Sequence, residues 1–122
     1  MKHLLNWIEI PVTEMERAKK FYSTILETAF QDMAIGDITY AIFASEDQHN
    51  AGALAQGPYY KPSTDGVLIY FNGGDDLDFI LSKVNGAGGN VILSKTFLAD
   101  VAGYMGMFID TEGNRIGIQS MK

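Results

Sequence analysis

Cysteine is absent from this chain, so disulfides, thiolate nucleophiles and cysteine metal sites are excluded. That absence fits a reducing cytoplasm, the expected location. Histidine is scarce: His3 lies at the chain start and His49 in a turn-like stretch, and both read as surface residues. The serines have no placed histidine beside them, so no hydrolytic triad emerges. Long apolar runs are missing, none approaching the ~20 residues of a membrane span. Met1 leads into strand-like sequence without the basic start, apolar stretch and cleavage site of a signal peptide. No membrane partner is expected. Positive charge is also in short supply, 9 Lys and Arg against 15 Asp and Glu, for a formal net charge of −6. A nucleic-acid binder needs cationic side chains to neutralise phosphate. The densest basic group, Arg17, Lys19 and Lys20, shares a helix with Glu14 and Glu16, as a solvated face does. No nucleic-acid partner is expected.

What is present is an ordinary globular balance, 47% hydrophobic and 20% charged across 122 residues, enough for one domain with a core. His3 to Ile10 alternates as a strand does. Thr13 then opens a helix: Thr13 and Glu16 match a capping box, and Met15, Ala18, Tyr22 and Ile25 recur at helical spacing, widened by Phe21 and Leu26. Strands follow near 30–35, 38–44 and 50–56. After a turn-rich connector with Pro58, Pro62 and Gly66, the order returns. A strand at 67–71 precedes a helix opened by Asp75 or Asp76 and striped by Leu77, Ile80, Leu81 and Val84. Gly86, Gly88 and Gly89 stop that helix, and strands follow near 90–95, 104–110 and 115–120. The glycine runs lack a phosphate-loop pattern and read as turn punctuation. Lys95 to Gly103 reads as the longest irregular segment of the second half, suited to a flap or a subunit contact.

Single positions correspond as well. Asn6-Trp7-Ile8-Glu9-Ile10 lies over Val67-Leu68-Ile69-Tyr70-Phe71, and Phe43 with Gly52 nine residues later lies over Phe108 with Gly117 nine later. In that order they indicate an internal repeat of a βαβββ unit within one α+β domain. Module one is placed at residues 1–56, the connector at 57–66 and module two at 67–122.

Ile8-Glu9-Ile10-Pro11-Val12 runs into Glu14-Met15-Glu16-Arg17-Ala18-Lys19-Lys20-Phe21-Tyr22, and Phe108-Ile109-Asp110-Thr111-Glu112-Gly113-Asn114-Arg115 stands at the other end. Together they resemble the vicinal oxygen chelate superfamily, which includes glyoxalase I, bleomycin-resistance proteins, fosfomycin-resistance enzymes and extradiol dioxygenases. The resemblance covers nearly the whole chain. It implies two curved four-stranded sheets forming a cup with helices outside, and a homodimer. Metal enzymes of the family place ligands on the first and last strands of the modules. Carried over residue by residue, the first-strand histidine slot falls on Trp7, its module-two counterpart on Leu68, the final-strand glutamate slot on Gly117 and its module-one partner on Gly52. None of these side chains can ligate a divalent ion. The usual metal site is therefore expected to be absent, and no cofactor is implied.

Alternation puts His3, Leu5, Trp7 and Glu9 on one face, which the resemblance identifies as the cavity face; the same parity brings in Arg115, Gly117 and Gln119. A carboxylate there is costly unless paired, hydrogen-bonded or hydrated. Glu9 thus reads as a ligand anchor, a general base, or a structural partner of Arg115 or a tyrosine. Trp7 stacks on a planar ligand or fills space. Tyr70 is able to hydrogen-bond across the pocket to Glu9, or belongs to the core. Gln119 orients a polar ligand or is solvated, and Arg115 recognises a carboxylate or bridges at the rim. Gly52 and Gly117 enlarge the pocket or ease sheet curvature.

The expected function is metal-independent binding of a small organic molecule by Trp7, Glu9, Tyr70, Gly52, Gly117, Gln119 and Arg115, after the manner of bleomycin-resistance members. Net negative charge suits a cationic ligand through steering. The alternative is a glyoxalase-like lyase or isomerase with Glu9 as base and a nonstandard metal or none. A third reading is an interaction module with a filled cup.

Overall fold

Alternation along the first strand sorts side chains into a core side and an open side. In the computed structural model, which describes residues 4–44 and 52–122, β1 (Ile8–Pro11) buries Ile10 and leaves Glu9 exposed. His3 and His49 lie outside the described residues. Next come α1 (Met15–Leu26), β2 (Phe30–Ile35), β3 (Ile38–Phe43) and β4 (Gly52–Gln56). The second set is β5 (Tyr70–Asn72), α2 (Asp78–Val84), β6 (Asn90–Ala99), β7 (Gly103–Ile109) and β8 (Arg115–Ser120). The sheets run β1-β4-β3-β2 and β5-β8-β7-β6. In each, the first and last strands pair in parallel and the other neighbours antiparallel. This is the expected α+β architecture, a βαβββ unit made twice.

Both helices form where their apolar stripes find a sheet to cover. Met15, Ala18, Phe21, Tyr22 and Ile25 of α1 are all buried, as are Ile80, Leu81 and Val84 of α2. The aromatic rings cross between modules: Phe71 lies 5.9 Å from Tyr22 and 5.6 Å from Phe43, and Phe21 lies 5.8 Å from Phe108. One core therefore serves both sheets. A fully buried side chain of this size contributes about 1.5–3 kcal/mol, so separating the halves would forfeit several such terms at once.

The turn between β7 and β8 fastens the modules. Asp110 accepts hydrogen bonds from Tyr22 Oη at 2.6 Å and from the backbone N–H groups of Glu112 and Asn114 at 2.9 and 2.8 Å. Burial, reinforced by Asp110, pushes the Tyr22 phenol well above its usual range and keeps it a donor. Asn114 Nδ2 donates to the Pro11 carbonyl at 2.7 Å, tying the turn to β1. Glu112, its side chain wholly buried, accepts from the backbone N–H of Thr13 and Glu14, both at 2.9 Å, and from Arg17 Nε at 2.7 Å.

That arrangement replaces the expected Thr13–Glu16 capping box. Helix α1 starts at Met15 after Glu14 and has no side-chain cap of its own, while Glu16 meets Lys19 at 3.4 Å. A carboxylate held by a distant turn occupies the place where a local cap would act.

The ends of other elements shift too. Helix α2 starts at Asp78, with Leu77 N–H donating to Ser120 Oγ at 3.0 Å. Segment 95–103 is no flap. Strand β6 continues to Ala99 and pairs Thr96 with Met105 and Phe97 with Tyr104, so an antiparallel neighbour holds residues that sequence alone left irregular. Among the described residues, no helix is long and apolar enough to cross a membrane.

Candidate functional site

The face of the first sheet away from α1 has little side-chain bulk at its centre. The registers align Glu9 with Ala53 and Ile42, and Pro11 with Ala55, Tyr40 and Met33. Two alanines in neighbouring rows leave room for longer side chains to lie across the sheet. Trp7 Nε1 donates to Glu9 Oε2 at 3.1 Å, so the two share the open side as strand parity predicts. Tyr60 Oη donates to Glu9 Oε1 at 2.6 Å. Tyr40 Oη stands 3.4 Å from Tyr60 Oη, their rings 6.5 Å apart at 80°. The hydrogen bond to Glu9, then that to Tyr40, raises the Tyr60 phenol far above its usual range, and Tyr60 stays protonated as a donor.

Glu9 is thus positioned by two neutral donors, one on each oxygen. An ionised carboxylate offers about four lone-pair sites, which leaves acceptor capacity facing solvent. Beside it a pocket of about 250 Å3 lies between β1 and the connector, with Glu9, Asp65, Lys61 and Arg115 among its lining residues and Ile69 and Ile116 in its wall. Arg115 Nη2 donates to the Gly66 carbonyl at 3.4 Å. Among the described residues, Arg115 makes no ion pair with Glu9.

Tyr70 takes a place apart from this group. Its hydroxyl meets Met105 Sδ at 4.0 Å, and the partner expected to reach Glu9 from a tyrosine is Tyr60 instead. A Cβ on Gly117 would stand 2.5 Å from Cδ1 of the Tyr70 ring. Gly117 therefore gives its space to Tyr70 and does not enlarge the cavity. Gln119 Nε2 donates to the Ala102 carbonyl and pins the turn between β6 and β7, so its amide is already engaged.

Gly52 is displaced from the site altogether. It pairs with Ile8, whose side chain packs against the core, and Ala53 pairs with Glu9. A Cβ on Gly52 would collide with the Ile8 carbonyl oxygen. Close approach of another backbone, not of a ligand, requires this glycine. The register of β4 on β3 is one residue away from the repeat alignment: Ala41 opposes Leu54, whereas Gly106 opposes Ile118. Ala53 consequently takes the module-one position equivalent to Gly117.

Tyr60 and Tyr40 escaped the sequence reading. Tyr60 belongs to a connector, and no spacing relates it to a strand residue 51 positions earlier. The sole signal was a tyrosine pair, Tyr59-Tyr60, inside a turn-rich segment.

A doubled βαβββ fold with an open sheet face on each module invites comparison with known families. The family model for the Glyoxalase/Bleomycin resistance protein/Dioxygenase superfamily matches residues 4–118. The chain belongs to that superfamily. It is 24% identical over 115 residues to the CFP32 proteins of Mycobacterium bovis and Mycobacterium tuberculosis. That match takes in 93% of this chain and 44% of those proteins, so the chain spans less than half their length. Among solved structures, a glyoxylase/bleomycin resistance protein/dioxygenase domain from Frankia sp. EAN1pec superposes with a TM-score of 0.75 at 12% identity, covering 96% of each chain. TnmS3, an antibiotic binding protein from Streptomyces sp. CB03234, superposes with a TM-score of 0.64 at 20% identity, covering 96% of this chain and 94% of that one. At such identities the likeness is one of fold.

The metal positions implied by superfamily resemblance hold Trp7, Leu68, Gly117 and, by the observed register, Ala53. None has a side chain that ligates a divalent ion, and among the described residues no three His, Asp or Glu side chains converge. These residues do not fit a divalent ion at that position.

Proposed function

We propose that this superfamily member binds a small organic molecule over the open sheet face around Glu9, as a homodimer and without the family's usual metal chemistry. The observation that carries the reading is the built environment of Glu9: a carboxylate oriented by Trp7 and Tyr60, beside a pocket that Arg115 also lines. Polar groups so placed beside a pocket fix the orientation of a ligand. TnmS3, an antibiotic binding protein, is a precedent for this class of function on the same fold.

The homodimer is supported by apolar surface left on the sheets. Trp7 is 41% exposed, Met33 41%, Ile35 59% and Tyr70 44%. Exposed apolar side chains on both sheets are surface that a second copy would cover. With no cysteine to require an oxidising compartment, the cytoplasm is the proposed location.

Native mass spectrometry of freshly purified protein, paired with elemental analysis, tests the reading. A metal-free dimer, with a retained small molecule released on denaturation, is the expected result. A monomer, or one divalent ion bound per chain, would overturn the corresponding part.

A further inference from the structure

Resting on the reading above, we propose that the Glu9 site selects organic cations, with the ligand's ammonium group set against the Glu9 carboxylate and the rings of Trp7, Tyr40 and Tyr60 around it. Among the described residues, Glu14, Glu16, Glu27, Asp32, Asp76 and Glu112 each meet a lysine or arginine within salt-bridge distance, while Asp37, Asp65, Asp75, Asp78, Asp100 and Asp110 do not. Glu9 meets none among the described residues; its oxygens accept only from an indole N–H and a phenol O–H. Those donors orient the carboxylate without cancelling its charge. An ammonium ion is the chemical complement of a fixed, uncancelled carboxylate.

The neighbours narrow the class. Aromatic rings attract cations through their quadrupoles, Trp most strongly. Trp7 and Tyr60 are locked by their hydrogen bonds to Glu9, and Tyr40 abuts Tyr60 edge-on. Such a surface suits an alkylated ammonium, which presents apolar methylene or methyl groups around its charge, better than a strongly hydrated metal or bare ammonium ion. Lys61, Arg115 and Asp65 line the adjacent pocket, two cationic side chains and one acidic one. The remainder of the ligand is therefore neutral or anionic, not a polycation.

Trp7 is the chain's only tryptophan, so its fluorescence reports directly on the site. The chain is titrated with benzyltrimethylammonium, benzyl alcohol and benzoate, a cation, a neutral molecule and an anion built on one ring. The cation is expected to bind about tenfold or more tightly than benzyl alcohol, with its affinity falling as salt is raised. Glu9→Gln, with its fold verified by circular dichroism, should abolish the preference, and Tyr60→Phe should reduce it. Equal binding of the three probes, or a preference for benzoate through Arg115 and Lys61, would overturn the cation assignment and leave small-molecule binding standing. Silence from all three would count against both.

Discussion

Replacing Glu112 by glutamine is the sharpest test of how the modules are joined. The wild-type carboxylate is wholly buried, caps the start of α1 through Thr13 and Glu14 N–H, and receives Arg17. Burial by itself would raise the Glu112 carboxyl. Arg17 and the Glu14 and Thr13 backbone donors outweigh it and hold the carboxyl at about 2, against an ordinary 4.5. That displacement corresponds to about 3 kcal/mol; because Arg17 is 45% exposed and partly screened by water, ~2–3 kcal/mol is the expected loss in Glu112→Gln. A glutamine has the same size but one acceptor oxygen, and its NH2 would face the donors of Arg17. Urea unfolding at fixed protein concentration, followed by circular dichroism, reads the effect. With a slope of about 1.5 kcal/mol per molar urea for a small protein, the midpoint should fall by about 1.3–2 M. The folded-state value is depressed, so the stabilisation is complete above pH 4.5 and is lost as pH falls from 4.5 towards about 2. Wild type and variant should therefore differ at neutral pH and converge at strong acid. A midpoint change under about 0.3 M at pH 7, or a gap unchanged by acid, would refute the account of the clasp.

Three further outcomes follow from the same geometry. Tyr22→Phe removes the hydroxyl from Asp110, which keeps its donors from Glu112 and Asn114, so a loss of about 1–2 kcal/mol is expected; a loss no greater than experimental error in urea unfolding would be evidence against that bond. Gly52→Ala and Gly117→Ala should separate, because the first collides with the Ile8 backbone and the second with a half-exposed ring able to swing aside. About 3 kcal/mol and about 1 kcal/mol are expected, and the reverse order would show the register reading to be mistaken. Glu9→Gln should change stability by less than about 0.5 kcal/mol, as an exposed position does, while altering Trp7 fluorescence; strong destabilisation would make Glu9 a structural residue.

Much of the fold was present in local sequence. Phe30–Ile35 and Arg115–Ser120 form strands at the expected residues, and the stripe of Met15, Ala18, Tyr22 and Ile25 is the buried face of α1. These features depend on side-chain period, which neighbouring residues carry among themselves. Strand parity likewise put Trp7 and Glu9 on one side, and they meet there. The repeat between the two halves then supplied the architecture, and the segments at 8–22 and 108–115 the superfamily.

The site was settled by distances that sequence spacing does not encode. Tyr60 reaches Glu9 from a connector, Glu112 caps a helix from the opposite module, and one residue of register moves Gly52 into contact with Ile8 and brings Ala53 beside Glu9. Each depends on how two segments far apart in the chain are docked by the shared core of Tyr22, Phe43, Phe71 and Phe108. Local periodicity determines which face a residue presents; only packing of the whole chain determines what that face meets.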